Sequence, residues 1–249
     1  MKRIKKIVFI ILTIITVLVL GSFVFFSYVS NQRAASPEAV ASLESDSNVI
    51  VQTEPWLIFK PLGETPSTGF IFYQGGLVDE AAYAPSAREI SQAGYLVVVP
   101  QMPFNLAVLN INVARKIITA YPEINHWAIG GHSLGGSMAA AFSDNHRDLI
   151  DGLVLWASYP AENNDLSDSN LIVTSIYGTL DGVAPVEDVI ASKPYLPANT
   201  TWVPIQGGNH AQFGWFGEQR GDNAATISHQ DQTAQVVEAT ISLLEAIKD

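Results

Sequence analysis

The pentapeptide Gly131-His132-Ser133-Leu134-Gly135 restricts the fold of this 249-residue chain more than any other stretch. An apolar, strand-like segment at 126–130 runs straight into it, and a run of small residues at 136–142 (GSMAAAF) leads away. A strand that becomes a helix within one residue needs a corner so tight that only glycine fits on either side, and that corner leaves the serine hydroxyl exposed. Chance alone produces such pentapeptides, because glycine is ~7% of an average chain, so the strand-turn-helix setting carries the argument. From Val49 onward, β-branched and aromatic runs alternate with helical patterns, as a largely parallel sheet with helices on both faces requires. The patterns predict strands at 49–52, 56–60, 69–74, 95–100, 127–130, 152–157, 171–177 and 201–205, and helices at 80–93, 106–121, 134–145, 186–191 and 231–247.

A serine hydroxyl attacks a carbonyl only when a base takes its proton, so a histidine and an acid are expected in later loops. Asp181 follows the strand at 171–177 within Tyr177-Gly178-Thr179-Leu180-Asp181-Gly182. His210 follows the strand at 201–205 within Gly207-Gly208-Asn209-His210. In open parallel sheets the ligand crevice lies outside the C-terminal strand ends, where Ser133, Asp181 and His210 all fall. Donors for a developing oxyanion are expected from an earlier loop, and Gln74-Gly75-Gly76-Leu77 fits because paired glycines let backbone N–H groups face a carbonyl. The N–H groups of Gly76 and Leu134 are assigned to this hole, with Leu77 as the adjacent alternative.

On the segments FYQGGLVDEAAY (72–83), GGHSLGG (130–136), IYGTLDGV (176–183) and GGNHAQFG (207–214), the chain resembles the α/β-hydrolase superfamily. Within it, the chain is similar to the compact, lidless esterase-like branch related to dienelactone hydrolase. The likeness spans residues 49–249. It implies the α/β-hydrolase fold, a Ser133–Asp181–His210 triad, hydrolysis of a small-molecule ester or similar acyl compound, and neither cofactor nor metal. Ser133 stands where dienelactone hydrolases carry cysteine, which argues against a dienelactone substrate, and Gln74 stands where many esterases have histidine. The alternative is a catalytically silent hydrolase-fold protein that binds at the cell envelope. A binding module, however, has no use for a strained corner carrying serine.

The N-terminal segment is separate in character. Residues 7–28 form an almost unbroken apolar run of 22 residues without charge. As a helix it spans ~33 Å, the thickness of a bilayer core. A cleaved signal has a shorter apolar region of ~7–15 residues beside a small-x-small site, and the nearest such triplet, Ala39-Val40-Ala41, lies far downstream. Residues 1–30 are therefore read as one transmembrane anchor, 31–48 as a tether with a short helix begun by Ser36 and Pro37, and 49–249 as the catalytic domain. Lys2, Arg3, Lys5 and Lys6 ahead of the run place the N-terminus in the cytoplasm and the rest outside.

Five of the 13 basic residues lie in the first 33 positions, leaving eight against 24 acidic residues afterwards, a net of −16. Such a surface repels phosphate backbones, which argues against nucleic acid as a partner, and no feature points to a protein partner. The chain has no cysteine and no HExxH spacing, so neither a thiolate site nor that zinc motif is available. His126 and His132 are read as packing residues, His146 and His229 as solvated near helix ends, Trp127, Trp156 and Trp202 as core, and Asp79 and Asp222 as solvated loop acids.

Only 158–170 separates the strand that follows the nucleophile helix from the next one, too short for a cap domain. The long connection is 211–230, directly after His210, with Phe213, Trp215 and Phe216 among glycines and polar residues. Irregular stretches of this length often form binding loops. Phe213 and Trp215 are expected to wall the substrate pocket, with Tyr83 and Met102 contributing from other loops. An open site of this kind is expected to favour short, soluble esters.

Overall fold

In the computed structural model, residues 2–30, 33–63 and 65–248 are described. Asn31, where the tether is expected to begin, lies outside the described residues. Helix α1 (Lys2–Ser30) contains the unburied stretch Val8–Phe25, long and apolar enough to cross a membrane. The ring of its Phe23 meets that of Phe104 edge-on at 5.8 Å.

The following segment does not hang free as a tether would. Ser36 caps α2 (Pro37–Ala41) by accepting from the Ala39 N–H, and proline at the first turn presets the helical φ. Ala39 is buried, and Ala35 and Leu43 pack against the domain's core. Arg88 fastens the end of the segment, donating to the Ser42 and Glu44 carbonyls and pairing with Asp46 at 2.7 Å. A few small apolar side chains and one arginine thus fold 33–46 onto the domain.

Eight strands follow: β1 (Val49–Gln52), β2 (Leu57–Pro61), β3 (Thr68–Tyr73), β4 (Leu96–Val99), β5 (His126–His132), β6 (Gly152–Trp156), β7 (Ile172–Gly178) and β8 (Thr201–Ile205). They form one sheet in the order β1-β2-β4-β3-β5-β6-β7-β8. The β1–β2 and β2–β4 pairs are antiparallel and the others parallel. The two-residue period of the strands divides their side chains between two cores. Phe70 and Phe72 point with Val97, Val154 and Trp156 toward α3 (Ala84–Gln92) and α7 (His229–Ala246). Ile71 and Tyr73 point with Val98, Ile129 and Leu153 toward α4 (Val113–Ala120) and α5 (Leu134–Asn145). A sixth short helix, α6 (Val186–Ala191), follows β7.

The eight strands fall where the sequence pattern predicts them, to within a residue or two at each end, while two helices depart from it. The pattern at 80–93 resolves into a 3₁₀ turn, Glu80–Tyr83, and α3, because Pro85 begins a new helix. The pattern at 106–121 becomes helical only at Val113. Ahead of it, the buried Tyr73 hydroxyl donates to the Ile111 carbonyl and accepts from the Ala114 N–H, holding the preceding chain in a non-helical path. Trp127 and Trp156 are core residues as expected, and Trp202 is half-buried beneath the Lys193 ammonium.

Candidate active site

β5 leads directly into Ser133, whose φ of 53° and ψ of −123° lie outside the regions that suit an L-residue. Such a conformation costs ~1–3 kcal/mol and persists only where the surroundings impose it. Its Ser133 N–H donates to the Trp156 carbonyl at 3.0 Å, and its carbonyl accepts from Ser158 Oγ at 2.7 Å. The flanking glycines are steric requirements. A Cβ on Gly131 would stand 2.6 Å from the Tyr73 carbonyl oxygen, and one on Gly135 would collide with the carbonyls of Tyr73 and Gln74. Ser133 is half-buried at the head of α5.

Asp181 and His210 meet at the ends of β7 and β8. His210 Nδ1 lies 2.8 Å from Asp181 Oδ2, and both side chains are buried. The other carboxylate oxygen accepts the Val183 and Ala184 N–H groups at 2.8 and 2.7 Å, which leaves Oδ2 for the imidazole. An ionised carboxylate can only accept, so Nδ1 supplies the proton of this bond. Nε2 is buried without a hydrogen-bond partner among the described residues. No hydrogen bond joins it to Ser133 Oγ, a contact that often tightens only with substrate in place. The ring of His132, the residue before Ser133, lies 4.4 Å from the ring of His210, which brings the serine corner and the Asp–His pair to one place.

Asp222, read from sequence as a solvated acid, instead ties these loops together. Its oxygens accept the Gly182 N–H at 2.9 Å, next to Asp181, and the Ala211 N–H at 2.8 Å, next to His210. Asp79 is likewise engaged, accepting from the Ala81 N–H at the start of the 3₁₀ turn. The Asp222 role has no local signal, because its carboxylate binds N–H groups whose positions the fold decides, whereas Asp79 is a local cap bonding two residues on.

Of the two expected oxyanion donors, Gly76 lies in the loop after β3 and Leu134 at the head of α5. The N–H groups of Gly76 and Leu134 meet no acceptor among the described residues. The two residues adjoin, since a Cβ on Gly76 would lie 3.2 Å from Leu134 Cδ2. The alternative donor, the Leu77 N–H, is committed to the Asn105 carbonyl at 2.8 Å. Beneath the loop the Tyr83 oxygen accepts from the Gly75 N–H at 2.9 Å and lies 2.9 Å from His132 Nδ1. His132 stays neutral: burial first, then the neighbouring His210 and Arg33, hold its pKa well below the usual histidine value.

The four residues expected to wall a pocket do not come together. Tyr83 and Phe213 are 1% and 2% exposed. Phe213 stacks behind His132 with ring centroids 5.7 Å apart, and Tyr83 packs on Phe72 at 4.8 Å. Burial of aromatic surface draws both inward, leaving no face for a substrate. Trp215 stacks instead on His229 at 3.9 Å, against the head of α7. That contact also corrects the reading of His229, which is no solvated residue: burial lowers its pKa to about 4. His146 does end α5, bonded to Asn112 at 3.0 Å, and His126 is a partly exposed strand end near Asp151. Met102 borders a cleft of about 440 Å³ beside the oxyanion loop, with Asp79, Glu80, Gln101, Asn105 and Asn110, but is itself only 1% exposed. Among the described residues no group of His, Asp and Glu side chains is arranged to hold a metal ion.

Three solved structures share this architecture. The chain is similar to an esterase domain from Rhodothermus marinus (TM-score 0.60, 14% identity, covering 78% of this chain and 92% of that one). It is similar to a predicted CIB-like hydrolase from Thermoplasma acidophilum (0.56, 15%, 77% and 96%) and to Est1E from Butyrivibrio proteoclasticus (0.56, 13%, 80% and 100%). None of the three is named as a dienelactone hydrolase. A search of curated proteins finds no match to the chain. The alpha/beta hydrolase family model matches residues 69–234, from β3 through the head of α7, and the chain therefore belongs to the alpha/beta hydrolase family.

Proposed function

We propose that this protein is a serine hydrolase that cleaves carboxylic esters through an acyl-enzyme. The observation that carries the reading is the buried His210–Asp181 pair, at 2.8 Å, with Nε2 left unpaired beside a strained serine corner. Ser133 Oγ attacks the ester carbonyl while His210 Nε2 takes its proton. Asp181 holds the Nδ1–H tautomer and stabilises the imidazolium. The Gly76 and Leu134 N–H groups receive the oxyanion, and donors fixed in advance favour the tetrahedral state over the flat carbonyl. The imidazolium then protonates the leaving alcohol, and a water molecule repeats the sequence to release the acid. None of these steps needs a cofactor.

The chain at 158–170, between β6 and β7, is too short for a cap domain, which supports short, soluble esters over long acyl chains. In the same reading α1 anchors the enzyme in the cell membrane with the catalytic domain on the extracytoplasmic side, supported by its apolar length and the lysines and arginine ahead of it. A fluorophosphonate probe tests the chemistry. Covalent labelling at Ser133 that is lost in Ser133→Ala is expected, and folded protein that stays unlabelled would overturn the assignment.

A further inference from the structure

The oxyanion loop is fastened from outside by the segment that follows the apolar helix. Of the five N–H groups from Gly75 to Asp79, four are committed: Gly75 to the Tyr83 hydroxyl, Leu77 to the Asn105 carbonyl, Val78 to the Gly75 carbonyl, and Asp79 to the Arg33 carbonyl. Among the described residues only the Gly76 N–H meets no acceptor. The 76–77 peptide is gripped on both edges, because its carbonyl oxygen accepts from Arg33 Nη1 at 2.8 Å while its N–H reaches Asn105 at 2.8 Å. Arg33 also forms a parallel bridge with Val78, so it holds the loop through side chain and main chain together.

Leu77 shows why a grip is needed. Its φ of 61° is left-handed, disfavoured for leucine, and a loop released from its restraints would relax by rotating this peptide and redirecting its neighbour's N–H. Three residues on, the Ser36 N–H donates to the Trp215 carbonyl at 2.7 Å. Residues 33–36 therefore join the oxyanion loop to the loop after His210. The guanidinium charge reaches inside, since it contributes to the lowered pKa of His132.

We propose that Arg33 is a positioning residue of the active site, locking the 76–77 peptide so that the Gly76 N–H faces the reacting carbonyl and making turnover depend on the chain just beyond the membrane helix. The proposal rests on the serine-hydrolase reading above. A rigid fork with several donors suits the task, and lysine replaces it only as a single point charge.

The test uses the full-length protein in detergent, with Arg33→Met, Arg33→Lys and, as a control on the exposed face of the same segment, Glu38→Gln. With a short p-nitrophenyl ester, Arg33→Met is expected to lower kcat ~10–100-fold, the scale for a misplaced oxyanion donor, while KM stays within about twofold. Arg33→Lys should recover part of the loss, and Glu38→Gln should match wild type. Amide hydrogen exchange of residues 75–79 should quicken in Arg33→Met, a readout that needs no turnover. Wild-type kcat in Arg33→Met, or a loss of kcat without faster exchange in the loop, overturns the proposal. Should Arg33→Met fail to fold, the milder Arg33→Lys decides by the same two readouts, and wild-type values for both overturn the proposal. Absence of both turnover and fluorophosphonate labelling in wild type would instead overturn the hydrolase reading, with loop exchange still reporting on the lock.

Discussion

Replacing Asp222 by alanine isolates what one carboxylate does for the geometry of the Asp181–His210 pair. The substitution removes acceptors for the Gly182 and Ala211 N–H groups, at 2.9 and 2.8 Å, and for the exposed Asn223 N–H. Hydrogen bonds to an ionised group contribute ~1.5–3 kcal/mol each, and because Asp222 is only half-buried and the Asn223 bond is exposed, two bonds at the lower bound give ~3 kcal/mol. For a domain of this size each kcal/mol lowers Tm by ~2–4 °C, so a drop of ~6–12 °C is expected. With Asp181 and His210 no longer tied through their neighbours, kcat should fall ~10–100-fold, since displacements near 1 Å cost about that much. Asp222→Asn keeps one accepting oxygen and turns an NH₂ toward the other donor, so it should fall between alanine and wild type. Circular dichroism melting and turnover of p-nitrophenyl acetate measure both quantities. A Tm within ~1 °C of wild type together with unchanged kcat would refute the claim that this carboxylate joins the two loops.

Ser133→Ala should lower kcat on the order of a millionfold and Asp181→Asn on the order of ten thousandfold, both without loss of fold, and a Ser133→Ala protein retaining a tenth of the wild-type rate by steady-state assay would remove serine from the mechanism. His229 has a pKa lowered to about 4 in the folded protein against 6.5 unexposed to that burial, so the unfolded chain binds the extra proton first as pH drops. Its contribution is complete above pH 6.5, is lost progressively toward pH 4, and is moderated by its partial exposure; Tm against pH should therefore slope less steeply in His229→Phe over that window, and an equal slope would count against the burial argument. A chain shortened to begin at Asn48 loses buried Ala39, the Arg88 contacts and the Arg33 clamp, so it should melt lower and turn over more slowly than one beginning at Arg33, a difference that scanning calorimetry and ester assays would reveal.

The sequence alone determined the parts of this protein whose causes are local. Strand and helix positions follow from side-chain periodicity, and the Gly131 and Gly135 corners follow from a turn that admits no Cβ. Residues after successive parallel strands share one edge of the sheet, so the gathering of Ser133, Asp181 and His210 at that edge was legible from order and spacing. The tertiary structure alone decided where side chains far apart in sequence end up. Tyr83 and Phe213 read in sequence as pocket walls, and burial of their aromatic surface around His132 places them in the core instead. Asp222 looked like any loop acid until β7 and β8 brought the Gly182 and Ala211 N–H groups to its two oxygens. Residues 31–48 read as a polar tether because the hold of 33–46 on the domain comes from partners tens of residues away, Gly76, Val78, Arg88 and Trp215. Periodicity and turn chemistry act over a few residues and leave a trace in the string, whereas burial and long-range hydrogen bonding exist only once the chain has closed on itself.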